Sequence, residues 1–495
     1  MRLREVFGDI APDAPDAPGV DVTALAYDNR QVGPGTAFFC VRGFTRDGHD
    51  FAAGALARGA VALVVDHELE GIGVPQVLVE DVRAAMAPAA ARLHGDPTAT
   101  LRTIGITGTN GKTTSAYLVR ALLEAAGEPT GLLGTVTSVV GGAEHPVART
   151  TPEAIDLQAT FAAMRSAGDT HCVMEVSSHA LALGRADAIH WAAAIFTNLT
   201  QDHLDFHPTM EEYFAAKSGL FLDGRPPVAV VNIDDPYGAR LAGELRAAGD
   251  HGPAHPAHPA HLVTVGIDSP GADLRATDIS SSFAGSAFRA GGLTLRSPLP
   301  GRFNVMNVLG AVAAVRALGV DDATIAAALP EAGRVPGRFE PVDEGQGFAV
   351  LVDYAHTPDS LENVLTAARP LAANRLLCVF GCGGDRDGGK RPQMGEISAR
   401  LADQTIVTSD NPRSEDPQAI VAEILAGIEG RSAHVEAIVD RHAAIERAIA
   451  LAAAGDVVVI AGKGHEQGQE FDQGRRLPFD DVGVAREALR ARLVA

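Results

Sequence analysis

The apolar run at residues 101–106 passes directly into the turn TGTNGKTT, residues 107–114, and then into SAYLVRALLEAAG, whose apolar side chains recur at helical spacing up to Gly127. A strand, a glycine-rich turn and a helix in that order leave few folds open. The turn's backbone N–H groups and the helix N-terminus converge on an anion, and such a unit belongs to a parallel sheet with crossover helices. Gly108, Thr109, Asn110, Gly111, Lys112, Thr113 and Thr114 are therefore candidate nucleotide-phosphate binders, with Lys112 reaching the outer phosphates and Thr113 a Mg²⁺ ion. The commoner phosphate loop has Gly where this chain has Ile106, so the turn is a shorter variant. On this feature alone an ATPase, a GTPase and a kinase all remain open.

The same alternation extends along the chain. Apolar runs at 101–106, 172–176, 192–196 and 228–231 are separated by helical stretches, and runs at 348–352, 376–380, 405–407 and 457–460 by Ala-rich helices. Short strands at 37–41 and 62–65 lie among small helices near the start. With 495 residues the chain exceeds one ordinary core. The expected class is α/β in three domains: a small N-terminal α/β domain over 1–98, a central P-loop domain with a mostly parallel sheet over 99–333, and a C-terminal Rossmann-like, doubly wound domain over 334–495.

Charge narrows the partners. With 62 acidic and 41 basic residues the net charge is −21, which repels a nucleic-acid backbone over most of the surface. No secretory h-region and no uncharged apolar run of about 18 residues is present, so a cytoplasmic protein without membrane insertion is expected. The four cysteines, Cys40, Cys172, Cys378 and Cys382, are scattered and read as buried thiols. The stretch HGPAHPAHPAHL, residues 251–262, reads as an extended solvent-facing loop, because proline recurs every third residue.

In MEEYFAAKSGLF, helical spacing puts Met210, Tyr213, Phe214, Lys217, Leu220 and Phe221 on one face, with Lys217 in the middle of the apolar stripe. Such a lysine either snorkels to solvent or is desolvated with a lowered pKa. A neutral amine reacts with CO₂ to give a carbamate, a metal-binding anion. Holding it neutral at pH 7 costs about 4–5 kcal/mol from the ordinary lysine pKa. Asp202, His203, Asp205 and His207 follow one strand and Glu175 another, so carboxylate, imidazole and carbamate together suit Mg²⁺ beside the phosphate loop.

Every clear strand after residue 340 runs into a polar motif: DYAHTPD from Asp353, GCGGDRDGGKR from Gly381, SDNPRSEDP from Ser409 and AGKGHE from Ala461. Ligands of doubly wound sheets bind at the carboxyl ends of strands, so the four motifs should converge on one crevice. Arg386, Arg413 and Glu466 bring both charge signs there, as recognition of a zwitterionic amino acid requires.

Taken together, the segment 27–43 (YDNRQVGPGTAFFCVRG), GTNGKTT, TTPEA, EVSSHAL, NLTQDHLDFH, the Lys217 helix, GRFNVMN, VPGRFE, DYAHTPD and GKGHE resemble the Mur ligases in order and spacing over nearly the whole chain. Within them the diaminopimelate-adding type is the most similar, because Asp410, Asn411, Pro412 and Arg413 match its DNPR motif in full. The resemblance implies that the first domain with Asn29, Thr150, Thr151, Ser177 and Arg185 binds a UDP-muramyl dipeptide. The family usually has Ser where Asn29 stands and Gln where Leu183 stands. It further implies Asn304 and Asn307 on the adenine side, Arg338 at the phosphates, Asp353 at the ribose, Lys217 as a carbamate, and Thr113, Glu175, His203 and that carbamate as magnesium ligands. Arg386, Asp410, Asn411, Pro412, Arg413, Gly462 and Glu466 would hold the diamino acid.

The activity so implied joins meso-diaminopimelate to UDP-N-acetylmuramoyl-L-alanyl-D-glutamate, with ATP and Mg²⁺, through an acyl phosphate. Lys112, Arg338 and Mg²⁺ would neutralise the phosphates, and Lys217, Glu175 and His203 complete the reacting centre. The partners expected are small molecules, with no nucleic acid, and a monomer is expected. Alternatives are a lysine- or ornithine-adding ligase, a folylpolyglutamate synthetase and a nucleotide-dependent switch protein. TTPEA and DNPR speak against the first two, and four ligand-type strand ends against the third.

Overall fold

The computed structural model describes residues 1–43, 45–250, 261–428 and 434–494. Three large sheets, each with its own apolar packing, follow one another along the chain.

The first sheet has four parallel strands in sequence order, Ala24–Ala26, Thr36–Phe39, Ala60–Val65 and Gln76–Leu78. Because side chains alternate across a strand, Ala37, Phe39, Ala62 and Val64 pack to one side with Phe7 and Met86, and Phe38, Leu63 and Val65 to the other with Cys40 and Ala55. Both faces of the two central strands are covered, which is why residues 37–39 and 60–65 read as unbroken apolar runs.

The second sheet has nine strands. Seven are parallel, in the order Leu274–Arg275, His261–Gly266, Val228–Asn232, Trp191–Phe196, Arg102–Thr107, His171–Glu175 and Thr130–Leu133. Ser138–Val140 and Ala143–His145 extend it antiparallel at one edge. Helices Lys112–Ala125 and Arg302–Ala317 bury their apolar faces on one side, against Ile104, Ile106, Val173 and Ile195. Met210–Leu222 and Ala154–Ala167 cover the other side, against Met174, Ala194 and Phe196. A separate antiparallel sheet, Thr277–Ser282, Gly285–Ala290 and Leu293–Ser297, leads into helix Arg302–Ala317.

The third large sheet runs Glu340–Pro341, Ala349–Asp353, Val457–Ala461, Leu376–Phe380, Gln404–Val407 and His434–Ala437, antiparallel only at its first pair. The expected α/β architecture with mostly parallel sheets is therefore what the chain adopts. Each expected strand is present within a residue or two. The one expected at 37–41 ends at Phe39, where the Val41 amide turns back to the Phe39 carbonyl at 3.0 Å.

All four cysteines are buried and free. Residues 251–260 of the His-Pro-Ala stretch lie outside the described residues, and His261 and Leu262 already belong to the strand His261–Gly266. Among the described residues no helix is long and apolar enough to cross a membrane.

Candidate active site

The strand Arg102–Thr107 delivers the glycine-rich turn, and helix Lys112–Ala125 leaves it. Gly108 and Gly111 have φ of 149° and 85°, and a Cβ would lie 1.8 Å from Thr197 Oγ1 at the first and 2.3 Å from Asn307 Oδ1 at the second. Only glycine fits this turn as it is packed. Asn198 holds it from the neighbouring strand end: its Oδ1 accepts the Asn110 amide at 2.9 Å and its Nδ2 donates to the Asn110 carbonyl at 3.1 Å.

Two lysines meet on one carbonyl behind the turn. Lys112 Nζ donates to Gly108 O at 2.9 Å and to Thr109 O at 2.8 Å, and Lys217 Nζ donates to the same Gly108 O at 2.8 Å. Lys217 is 1% exposed, so it does not snorkel. Tyr213, Phe214, Leu220 and Phe221 are buried beside it on the face that helical spacing assigned them, whereas Met210 is only partly buried. Its Nζ lies 4.8 Å from the centre of the Tyr213 ring. Burial, and after it the nearby Lys112 cation, holds the Lys217 amine well below the ordinary lysine pKa.

Glu175 is buried, and its carboxylate accepts the Thr135 amide at 2.8 Å and the Thr135 hydroxyl at 3.1 Å. His203 has a left-handed backbone, φ 56°, a conformation that costs about 1–3 kcal/mol and gathers at functional sites. Its Nε2 lies 3.2 Å from Asp202 Oδ2, and burial holds the imidazole below its ordinary pKa despite that carboxylate. Glu175 and His203 belong to no trio of His, Cys, Asp or Glu ligand atoms within 4.8 Å of one another among the described residues. Thr113 Oγ1 accepts a hydrogen bond from Arg338. For a hard divalent ion the chemistry still fits: a hydroxyl, an imidazole, and a buried carboxylate whose hydrogen bonds among the described residues come from the neutral donors of Thr135.

The last sheet closes over the turn through side chains. Arg338 Nη2 donates to Thr113 Oγ1 at 3.1 Å, Asn110 Nδ2 to Asp359 Oδ2 at 2.7 Å, and Gln201 Nε2 to Asp387 Oδ2 at 3.0 Å. Between them lies a cavity of about 560 Å³ whose walls include Thr114, Asn307, Phe303, Arg338, Asp353 and Asp359. Asn304 is turned away, donating to Pro300 O at 2.8 Å and accepting from Asn307 at 3.2 Å. Asp353 accepts the Phe339 amide at 2.6 Å, and burial pushes its carboxyl up to about 6 against the opposing pull of Arg338.

The four strand-end motifs do converge. Asn411 Nδ2 donates to Glu466 Oε2 at 2.9 Å, Tyr354 OH to Glu466 Oε1 at 3.4 Å, and Arg413 Nη1 to Gly384 O at 2.6 Å. Arg413 also has positive φ, 51°, and pairs with Glu470 at 3.0 Å. Asp410 and Pro412 are buried, and Gly462 sits where a Cβ would lie 2.4 Å from Asp410 Oδ2. Arg386 is exposed and donates to its neighbour's carbonyl, Asp385 O, at 3.2 Å.

Two supporting cations here escape a reading of the sequence. Lys463 donates to Asn411 Oδ1 at 2.8 Å and to Glu466 Oε2 at 2.9 Å, fixing both. Arg441, 1% exposed, pairs with Asp481 at 2.7 Å and donates to Ala461 O at 3.0 Å. For Lys463 the GKGHE motif was a signal; for Arg441 none was.

A second cavity, about 410 Å³, opens between the first and second sheets, with Tyr27, Gln31, Arg149, Thr150, Glu153 and Asp156 on its walls. Asn29 sits two residues from Gln31 on the same helical turn, Asn29–Gln31, but does not line the cavity. Thr151 accepts the Ser177 amide at 3.1 Å and donates to Glu175 O at 2.9 Å, linking this wall to the strand end that carries Glu175. Glu153 gathers Arg149, Arg185 and Arg83 at 2.7, 2.9 and 3.3 Å, a role signalled only by its place in TTPEA.

The comparisons with known proteins agree with this geometry. Family models described as Mur ligase family, catalytic domain, Mur ligase middle domain, and Mur ligase, glutamate ligase domain match residues 21–94, 106–315 and 337–464. A relative from Geobacillus kaustophilus (strain HTA426), named UDP-N-acetylmuramoyl-L-alanyl-D-glutamate–2,6-diaminopimelate ligase, is 47% identical over 95% of this chain and 96% of its own length. One of the same name from Syntrophomonas wolfei subsp. wolfei is 44% identical over 100% of both chains. A solved structure titled as that ligase is 35% identical, with a TM-score of 0.70 over 100% of this chain and 99% of its own. Resemblance of this extent, with the three models falling in order on the three large sheets, means that the chain belongs to the Mur ligase family.

Proposed function

We propose that this chain is an ATP-dependent ligase that joins meso-diaminopimelate to UDP-N-acetylmuramoyl-L-alanyl-D-glutamate, forming an amide bond through an acyl phosphate in cell-wall precursor synthesis. The observation that carries the reading is the closure of the strand-end crevice over the phosphate loop, with Arg338 on Thr113 and Asn110 on Asp359. It is supported by the name shared by relatives 44–47% identical over nearly the whole chain.

In this reading the chain divides at about residues 98 and 333 into a part for the UDP-substrate, a part for ATP and a part for the amino acid. Asn29, Thr150, Thr151, Ser177 and Arg185 bind the UDP-muramyl dipeptide. Gly108 to Thr114, Asn304, Asn307, Arg338 and Asp353 bind ATP. Lys112 and Arg338 draw charge off the phosphates while the D-glutamate carboxylate attacks the terminal phosphorus. Asn411 and Glu466 hold the ammonium end of the diamino acid, Asp410, Pro412 and Gly462 shape the crevice, and Arg386 and Arg413 take its carboxylates. The oriented amine then displaces phosphate, and the closed cleft keeps out water that would hydrolyse the acyl phosphate.

Thr113, Glu175, His203 and Lys217 as its carbamate would hold Mg²⁺, which supplies charge neutralisation at the phosphates. Carbamate formation needs a neutral amine. Burial of Lys217 against Tyr213, and its convergence with Lys112 on Gly108 O, favour that form. The enzyme is read as a cytoplasmic monomer acting on small molecules, without nucleic acid.

Phosphate release tests the reading. It should require ATP, the UDP-dipeptide and a diamino acid together. Nucleotide hydrolysis that proceeds equally without either acceptor would favour a nucleotide switch instead.

A further inference from the structure

Away from the cleft, two strands of the first sheet bring three ligand-type side chains to one place. Strand Thr36–Phe39 leads on to the helical turn Gly48–Phe51, which carries His49, and strand Ala60–Val65 runs directly into Asp66 and His67. The two strands pair in parallel, so both chains emerge on the carboxyl edge of the sheet, where ligands of such sheets bind. One ligand atom from each of His49, Asp66 and His67 lies within 4.8 Å of the other two.

The His49 side chain is only 6% exposed, and its two ring nitrogens differ. Nδ1 is held by Asp47 Oδ1 at 2.6 Å. Nε2 lies 3.3 Å from Asp66 Oδ1 and has no hydrogen-bond partner among the described residues, an uncommon state for a buried polar atom. A carboxylate behind one ring nitrogen with the other left free is the arrangement that presents imidazole to a metal. His67 contacts the same Asp66 Oδ1, its Nδ1 at 2.5 Å, and its ring centre lies 4.6 Å from that of His49.

We propose that His49 Nε2, Asp66 Oδ1 and His67 Nδ1 form a site for one borderline divalent ion of the Zn²⁺ class, with Asp47 orienting His49 from behind. Bonds of about 2.0–2.2 Å in a tetrahedral site place neighbouring ligand atoms roughly 3.3–3.5 Å apart. The His49–Asp66 separation of 3.3 Å already meets this. The His67–Asp66 contact must lengthen, and His67, whose side chain is 51% exposed, is free to rotate its ring to do so. That exposure also leaves a fourth position for water. Two imidazoles select Zn²⁺, Ni²⁺ or Cu²⁺ over Mg²⁺, which separates this site from the nucleotide's metal. Arg42, with Nε 3.0 Å from Asp66 Oδ2 and Nη2 3.3 Å from Oδ1, is the competing cation; its side chain is 62% exposed and can swing away. An ion here would tie the turn Gly48–Phe51 to the end of strand Ala60–Val65.

The test uses the full-length enzyme freed of metal with EDTA. Calorimetric titration with Zn²⁺ should show a saturable site that His67→Ala lacks, while magnesium-supported ligase turnover in that variant stays unchanged. Asp47→Asn should keep the site with about 10–100-fold weaker affinity. Cu²⁺ bound to the wild type at one equivalent should show hyperfine coupling to two imidazole nitrogens by electron paramagnetic resonance. Equal Zn²⁺ uptake by wild type and His67→Ala, no saturable uptake by the wild type, or a copper signal without two nitrogens would each overturn the proposal.

Discussion

Arg338 of the C-terminal sheet region donates to Thr113 Oγ1 of the phosphate loop at 3.1 Å, across 225 residues of sequence. The guanidinium lies over the Tyr354 ring at 4.5 Å, and so a strand-end motif of the last sheet aims it at the loop. The hydroxyl it occupies is the one proposed to face the metal. A bound nucleotide would exchange this contact for one to phosphate, which makes Arg338 both a closure contact and a charge stabiliser.

Arg338→Ala should therefore lower kcat by roughly 10²–10³-fold, the range for removing one preorganised charge-stabilising donor. The KM for the UDP-dipeptide, whose proposed site is the cavity beside Tyr27 and Thr150, should change little. Steady-state phosphate release at saturating ATP reads both, and a variant with wild-type kcat would exclude Arg338 from the reacting centre.

For Lys217, incubation with ¹³C-bicarbonate should give an enzyme-bound carbamate signal in the carbonyl region that Lys217→Ala lacks, and that variant should be inactive. The chemistry requires the neutral amine, which burial beside Lys112 favours. An active wild type with no bound ¹³C would remove the carbamate from the account.

Arg413 is expected to choose the substrate. Removing one partner of a desolvated carboxylate pair costs about 2–5 kcal/mol. Arg413→Ala should thus reduce kcat/KM for meso-diaminopimelate by a factor of about 30 or more, whereas kcat/KM for lysine, which has no second carboxylate, should scarcely move. Equal losses for both amino acids would show Arg413 to be structural, through its bonds to Gly384 and Glu470.

These residues were unequally legible before the fold was known. The central parallel strands were plain because burial on both faces makes them continuous apolar runs, as in Val457–Ala461, and Lys217 was plain because its neighbours repeat at helical spacing. The sheet Thr277–Ser282, Gly285–Ala290 and Leu293–Ser297 was not, since its first strand is Ser-rich and largely exposed and carries no two-residue alternation. Convergence of the last four motifs followed from strand polarity alone. Pairings such as Asn198 with Asn110, Glu153 with Arg83 and Arg185, and Arg441 with Asp481 could not be read, because partners 30 to 90 residues apart leave no local pattern. The exposure of Arg386, expected in the crevice, likewise depends on how its loop folds.

Asp353 gives a pH signature. Burial raises its carboxyl from 3.8 to about 6. Between those values the native state keeps a proton that the unfolded chain has released, so stability falls as pH rises through the interval, by about 3 kcal/mol at most. Asp353→Asn, which mimics the protonated form, should gain stability relative to wild type by up to that amount between pH 4 and pH 7 in urea unfolding. A difference independent of pH would mean that Asp353 is ionised throughout.

The most direct test of the proposed ligase is the identity of its product. With ATP, the UDP-dipeptide and equal meso-diaminopimelate, lysine and ornithine in one vessel, mass spectrometry should find the diaminopimelate-containing UDP-tripeptide in large excess, with one phosphate released per tripeptide formed. Predominance of the lysine or ornithine product, or phosphate release with no tripeptide at all, would contradict the account.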